Sequence, residues 1–463
     1  MPPVNPSVKL PVQAASEADF PDVAQLLVSG GDARIELDPV SGMNKYGCKP
    51  YPNPQLLAFG SSTASSISQE GFEAVSLLRD RLRLEAQSVS LDGICMSQMQ
   101  RISGELLALT QLADLDINLI LAASGTDAHH LVAGYLARIS PLPLHVLMVE
   151  EAETGSGVAA ALSVPGVLCT PFDLRAADGT PRPLAQIDAE VTALVSRLIS
   201  QGQRVLLIMV DQSKTGLIAP SPACAMQLYQ RYQGSLSVLV DACQFRISSG
   251  MLRAYLKQGF MVALTGSKFL AGPSFSAALL LPSGAPSLHS DCSPGLLLRW
   301  EAALVELRRF CAVPEDTVMR YLNEFAQAVH DRLANDPCFE ALAVPAPDRH
   351  ALHALSGWDD VQTIFPFLLY RANAGGRVAL TQAQTLHVYR QLSGQVQSED
   401  LHDGSGLVQF GQPVACGMRD GVKVSALRLC ISARQVSDAA VSRTVSGIVA
   451  QAMVALDQAV RLI

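Results

Sequence analysis

The chain has 463 residues, of which 49% are apolar and 16% charged, and it carries a net charge of −8. That length favours more than one core, and the composition describes a well-buried globular chain rather than a disordered or fibrous one. The acidic balance, with no basic cluster interleaved with aromatics, argues against nucleic acid or an anionic membrane surface as a partner.

The start of the chain, Met1-Pro2-Pro3-Val4-Asn5-Pro6, lacks the basic residues and apolar centre of a signal peptide. Apolar runs such as 205–210 are far too short to cross a bilayer, so no membrane association is expected. A cytoplasmic protein is the expectation. The ten cysteines show no C-x-x-C pair and no metal-ligand spacing. They read as small core residues in a reducing compartment, and no metal site is expected.

Residues 1–60 are rich in proline and glycine and read as an N-terminal extended arm, whose Asn44, Lys45 and Tyr46 are candidates to reach a site elsewhere. Residues 61–285 read as a large domain. Two helices open it, at 65–84 and 97–113, with apolar residues at three-to-four spacing. Short apolar runs follow at 118–123, 144–149, 167–170, 205–210, 236–240, 261–264 and 277–281, with helices predicted at 129–138, 190–199, 223–232 and 251–258. Near-continuous apolar strands separated by helices predict an α/β three-layer sandwich with a mostly parallel central sheet. Residues 286–463 change character. Helical stretches at 296–310 and 315–334 lead to strands near 363–370 and 426–431 and a last helix over 439–456, which predicts a smaller α+β C-terminal domain.

Two of the strand ends carry unusual residues. Lys268 closes Thr265-Gly266-Ser267-Lys268 after an apolar run. An ammonium there is costly unless chemistry uses it. The preceding strand ends in Asp241-Ala242-Cys243-Gln244. A lysine and an aspartate at successive strand ends can face each other across a ring-shaped cofactor. Pyridoxal 5'-phosphate needs that pair, the amine to form a Schiff base and the carboxylate to keep the pyridine nitrogen protonated.

Other residues fall into place around them. Ser124-Gly125-Thr126-Asp127 lies between a strand and a helix, where helix-start N–H groups make an anion site and glycine lets a phosphate come close. Thr265 and Ser267 flank the lysine as further phosphate ligands. Ser213, Gln212 and Gln244 are candidates for the phenolic oxygen of the ring. Arg428, inside an apolar strand, requires an anion and suits a carboxylate, either a substrate's or one of the protein's own. His129 and His130 open the helix after the phosphate turn, one read as a core residue and the other as exposed. Glu150, Glu151 and Glu153 cluster at the next strand end, on the rim of such a site.

This ordered set resembles the fold-type I pyridoxal-phosphate enzymes. It is most similar to the class V aminotransferase group, which includes cysteine desulfurases and alanine–glyoxylate-type transaminases, over about residues 60 to 440. The resemblance implies Lys268 and Asp241 as the catalytic pair. It implies Gly125, Thr126 and Ser267 at the phosphate, Gln244 or Ser213 at the phenolic oxygen, and Arg428 at the α-carboxylate of an amino-acid or amine substrate. A homodimer with active sites at the interface is implied too, and Ser293-Pro294-Gly295 is the nearest candidate for a turn offered to a neighbour's phosphate. The sequence departs from the family after the strand ending near Glu150. The family commonly places an aromatic ring or histidine over the cofactor there, and Glu151-Ala152-Glu153-Thr154-Gly155 has neither.

Transfer of an amino group is therefore the expected reaction. The alternative is a carbon–sulfur lyase of the desulfurase kind, with Cys416 as a loop nucleophile; the missing histidine counts against it. A non-catalytic binding protein on the same fold is a third reading, and the complete Lys268/Asp241 pair argues against that one.

Overall fold

The structure is a computed structural model that describes residues 20–60, 65–155, 157–162, 165–284, 291–373, 376–396 and 406–463. The proline-rich start at 1–6, Ser156 in the glutamate-rich segment and the expected junction at 285/286 lie outside the described residues.

The seven apolar runs form one sheet. Its strands are β2 (Asn118–Ala122), β3 (Leu144–Val149), β4 (Val167–Phe172), β5 (Arg204–Val210), β6 (Leu236–Asp241), β7 (Met261–Thr265) and β8 (Ala277–Leu281), numbered after β1 (Leu57–Phe59) of the arm. They lie in the order β2-β8-β7-β6-β5-β3-β4. All are parallel except β8, which runs against both of its neighbours. Both faces are covered, as the unbroken burial of β3 and β8 requires. Alternation along β5 shows how the faces divide. Val205, Leu207 and Met209 join the main core, while Leu206 and Ile208 point into a second core with Val132, Leu136 and Leu239. Serines start many of the covering helices: Ser68, Ser90, Ser124, Ser221, Ser248 and Ser293 each accept a backbone N–H near the helix start.

A second sheet holds β9 (Phe339–Ala341), β10 (Ile364–Asn373), β11 (Gly376–Ala379), β12 (Val408–Arg419) and β13 (Val422–Cys430), ordered β1-β12-β13-β10-β11 with β9 on β10. The sequence pattern missed β12, because Gly411, Pro413 and Gly417 read as a loop. The strand absorbs them by shifting its register against β13 twice, between Gly411 and Val414 and between Ala415 and Met418. The last helix is also not continuous. It runs as Ala433–Ser442 and Ser446–Arg461, broken at Arg443, whose φ of 59° is left-handed.

The arm is tied at both ends. A short helix, Val23–Leu27, packs on the long buried helix Pro294–Cys311. Arg299 of that helix, fully buried, donates to the carbonyls of Leu27, Ser29, Gly30 and Phe275. At its far end the arm supplies β1, which pairs in parallel with β12.

Candidate active site

The parallel strands end on one edge of the large sheet, where ligands bind in open α/β folds. There β2 runs into Ser124-Gly125-Thr126, β3 into Glu150, β5 into Asp211 and β7 towards Lys268, while β6 ends in Asp241 itself.

Asp241 is buried, and its Oδ1 accepts the Cys243 N–H at 3.1 Å. His129, 0% exposed, sets its Nε2 3.5 Å from Asp241 Oδ2 and its Nδ1 2.6 Å from the Gly125 carbonyl. A short contact to a carbonyl requires a proton on Nδ1, so Nε2 faces the carboxylate as the second nitrogen of a cation. At 3.5 Å the contact is electrostatic rather than a good hydrogen bond, and Nε2 has no other partner. Burial alone would raise the Asp241 carboxyl, but His129 and then Lys268 outweigh it and hold it well below the usual carboxylate range. Burial would likewise lower His129, and the charge of Asp241 with its hydrogen bonding raises it instead.

This pairing has a pH signature. A group whose folded pKa is raised contributes stability that is complete below its unfolded value, 6.5 for His129, and that is lost as pH rises through the folded value. His129→Asn should therefore lower the melting temperature most in mildly acidic buffer, and the gap to the wild type should narrow as pH rises. A gap that stays constant across thermal melts from pH 5.5 to pH 9 would show that the imidazolium contributes nothing.

The helix Gly125–Ile139 begins beside this pair, capped by Ser124, with the Gly125 and Thr126 backbone in its first turn. A Cβ on residue 125 would stand 2.9 Å from Cys243 Sγ, so only glycine lets the helix start come this close to the Asp241 turn. Thr265 is spent on that turn, donating its hydroxyl to the Cys243 carbonyl at 2.7 Å. Ser267 is buried, and its carbonyl accepts the Ser65 hydroxyl at 2.9 Å. Lys268 is half-buried. Gln244 is buried with an unpartnered Oε1.

Ser213 and Gln212 face other partners. Ser213 donates its hydroxyl to Glu153 at 2.7 Å, and the Gln212 amide donates to the Arg246 carbonyl at 3.2 Å. Glu153 is a hub. Fully buried, it pairs with Arg175 at 2.7 Å and accepts from Ser213 and Thr215, contacts that outweigh burial and keep it ionised. It stands where the family resemblance put an aromatic ring or histidine. Its neighbour Thr154 is buried with its hydroxyl unpartnered. Asp211 serves structure, bound by Arg349 at 2.5 Å and by the Tyr255 hydroxyl at 2.8 Å. His130 is exposed on the helix surface, its Nδ1 at 2.8 Å from the Ala161 carbonyl.

Arg428 on β13 is 1% exposed. Its Nη1 and Nη2 donate to the carbonyls of Lys214 and Gln412 at 3.1 and 2.9 Å, and its Nε has no partner. It makes no ion pair with a protein carboxylate among the described residues. Gly411 makes room for it, since a Cβ there would lie 2.8 Å from the guanidinium carbon.

Sequence reasoning missed Arg34 of the arm. Its guanidinium lies 3.3 Å from Thr126 Oγ1 and 3.4 Å from Ser124 Oγ, stacked 4.8 Å above the Phe275 ring and held by Asp32 at 2.6 Å. It thus covers the helix start from above. Tyr46 and Cys48 pack with Phe275 in the same cluster, while Ser293 caps the helix Pro294–Cys311 and Gly295 lies against the Leu26 and Ser29 carbonyls of the arm.

Cys416 is not a loop residue. It lies in β12, 1% exposed, and burial pushes its thiol up to about 11, so it is protonated at neutral pH and is a poor nucleophile.

No family model matches this sequence, and neither does any curated protein. Solved structures do match its fold. The cysteine desulfurase CsdA from Escherichia coli is 15% identical, with a TM-score of 0.52 over 87% of this chain and 94% of that one. The cystine C-S lyase C-DES is 15% identical, with a TM-score of 0.53 over 84% and 97%. TDC from Oryza sativa, with PLP, is 13% identical, with a TM-score of 0.53 over 89% and 86%. The fold is that of the type I pyridoxal-phosphate enzymes. Likeness at this level concerns the fold, and the site must be judged on its own groups.

Those groups fit pyridoxal phosphate. On this fold the helix start at Gly125–Thr126, covered by Arg34, offers N–H donors and a guanidinium to a phosphate. An ionised, buried carboxylate at Asp241 suits a protonated ring nitrogen, and an amine at Lys268 suits an aldehyde. A groove of about 720 Å³, walled by Phe245, Phe269, Phe310 and Trp358, is lined by none of these residues. Among the described residues no helix is long and apolar enough to cross a membrane.

Proposed function

We propose that this chain is a pyridoxal-phosphate-dependent enzyme acting on an amino acid or amine, and that it transfers the amino group. One observation carries the reading: Asp241 stays ionised at a strand end although buried, because His129 and Lys268 face it. A scaffold without chemistry has no use for that arrangement.

When bound, the cofactor supplies an electron sink for the bond breaking at the substrate's α-carbon. Lys268 would hold it covalently and would move the substrate's α-proton as a local base. Asp241 would keep the ring nitrogen protonated, and His129 would hold the carboxylate in place and in charge. The Gln244 amide would donate to the phenolic oxygen, with Ser213 behind Glu153. Gly125, Thr126 and Ser267 would hold the phosphate, joined by Arg34. Arg428 would bind the α-carboxylate and orient the scissile bond.

The test is borohydride reduction of purified protein followed by peptide mass spectrometry, with an adduct expected on Lys268. An added keto acid should then accept an amino group from a donor amino acid. The likeness to CsdA and C-DES supports a second reading, carbon–sulfur cleavage. Sulfide released from cysteine or cystine without amino-group transfer would establish that instead. A cytoplasmic homodimer, with the partner closing the site, belongs to the same proposal.

Arg34 gives a separable prediction. Losing its charge-assisted contact should weaken pyridoxal-phosphate binding to the Arg34→Gln apoenzyme roughly 10- to 100-fold. Pyridoxal, which has no phosphate, should bind wild type and variant alike in a fluorescence titration. Equal losses for both ligands would mean that Arg34 only shapes the arm.

A further inference from the structure

Two cysteines meet where the arm is seated. Cys95 lies in the second turn of the helix Leu91–Leu109 and is 4% exposed, while Cys292 immediately precedes Ser293, the cap of the helix Pro294–Cys311. These helices run side by side in the same direction, and a series of contacts fixes their register. Arg101 reaches Glu301 at 2.5 Å, Arg308 reaches Glu105, and the Cys311 thiol donates to the Leu109 carbonyl at 3.6 Å. Followed back towards both helix starts, the same register sets Cys95 beside Cys292, and the two thiols share a hydrogen bond. Both are free. Cys292 is half-buried, packs against the core that contains Cys95, and belongs to no helix or strand, so its side chain can turn to close the remaining gap. The hydrogen bond from Cys292 outweighs burial and the nearby Asp92 carboxylate and holds the Cys95 thiol below its ordinary value. Burial instead pushes up Cys48, Cys169, Cys224, Cys311 and Cys416. The thiolate is the form that attacks a peroxide, and a second thiol beside it resolves the product.

We propose that Cys95 and Cys292 are a peroxide-reactive pair whose disulfide staples the seat of the arm to the helix Leu91–Leu109. The Cys95 thiolate attacks one oxygen of hydrogen peroxide and breaks the O–O bond, giving a sulfenic acid and a hydroxide that takes up the thiol's proton as water. The Cys292 sulfur then attacks the Cys95 sulfur, and the hydroxyl leaves with the Cys292 proton as a second water. Two thiols lose two electrons in all, and one peroxide gains them. A thiol reductant reverses the bond, which makes it transient in reducing surroundings. Its position gives it leverage on the arm. A Cβ on Gly30 would collide with Ser293, and one on Gly295 with the Leu26 and Ser29 carbonyls, so the arm rests directly on the residues after Cys292. The bond also closes a long loop, which restricts the unfolded chain more than the folded one. None of this involves the cofactor.

The experiment treats the reduced full chain with a small excess of hydrogen peroxide, then digests it without reductant for peptide mass spectrometry. The main internal cross-link should join the peptides of Cys95 and Cys292, and dithiothreitol should remove it. The melting temperature should rise by about 5 °C or more on oxidation and return on reduction. In Cys292→Ser, whose side chain is only half-buried, Cys95 should be trapped as a sulfenic acid that dimedone labels. Peroxide that oxidises the exposed Cys169 and Cys311 while Cys95 and Cys292 stay reduced overturns the pair. A linked peptide with an unchanged or lower melting temperature overturns the staple. Cys292→Ser protein with no label on Cys95 overturns Cys95 as the thiol that meets the peroxide.

Discussion

Lys268→Ala is expected to abolish turnover, lowering the rate by about 10⁴-fold or more, because one substitution removes both the covalent anchor and the base that moves the α-proton. The side chain is half-buried at the end of β7 and is not part of the packed core, so the variant should keep its circular dichroism and melt cooperatively. Borohydride should no longer fix the cofactor to the chain. A small primary amine added to the assay should restore part of the activity by standing in for the missing group. Unchanged turnover, or an adduct that moves to Lys214 with activity intact, would mean that the site has been assigned to the wrong amine.

Asp241→Asn should be nearly as damaging for a different reason. The amide is close in size but cannot stabilise a protonated ring nitrogen, and loss of one aimed charge from a dry site typically lowers kcat by about 10²–10³-fold. His129 loses the charge that raises its pKa and should become neutral, so the fold should survive with a penalty of about 1–3 kcal/mol for the unsatisfied contacts. Asp241→Glu, which retains the charge at a displaced position, should recover part of the rate. Steady-state kinetics with a cofactor titration separate the two effects. Wild-type kcat in Asp241→Asn would remove the electrostatic basis of the proposed function.

Much of the seven-stranded sheet was legible because its strands are buried on both faces, which writes continuous apolar runs such as 144–149 and 205–210 into the chain. The residues at the strand ends stood out for the same reason, as polar groups that interrupt those runs. What the pattern could not reveal depends on contacts between distant segments. Strand β12 hid behind Gly411 and Pro413, and Gly411 makes sense only once Arg428 is seen packed against it. His129 looked like a helix-face residue until Asp241 was placed opposite it. Arg34 carried no local signal at all, since its partners Ser124 and Thr126 lie far along the chain. The carboxylate at 153 shows the converse. Its cluster read as the rim of the site, whereas Arg175, Ser213 and Thr215 make it a buried tie between β3 and the β5 turn.

The arm makes the two sheets mechanically dependent on each other. One stretch of chain is riveted by Arg299 to the body that carries Lys268, places Arg34 over the helix start, and then serves as border strand β1 of the other sheet. Trimming the protein ahead of residue 60 would thus be no cosmetic shortening. It would strip the lid from the anion cradle and bare the flank of β12 in the same cut, leaving an open row of backbone donors and acceptors that invites self-association.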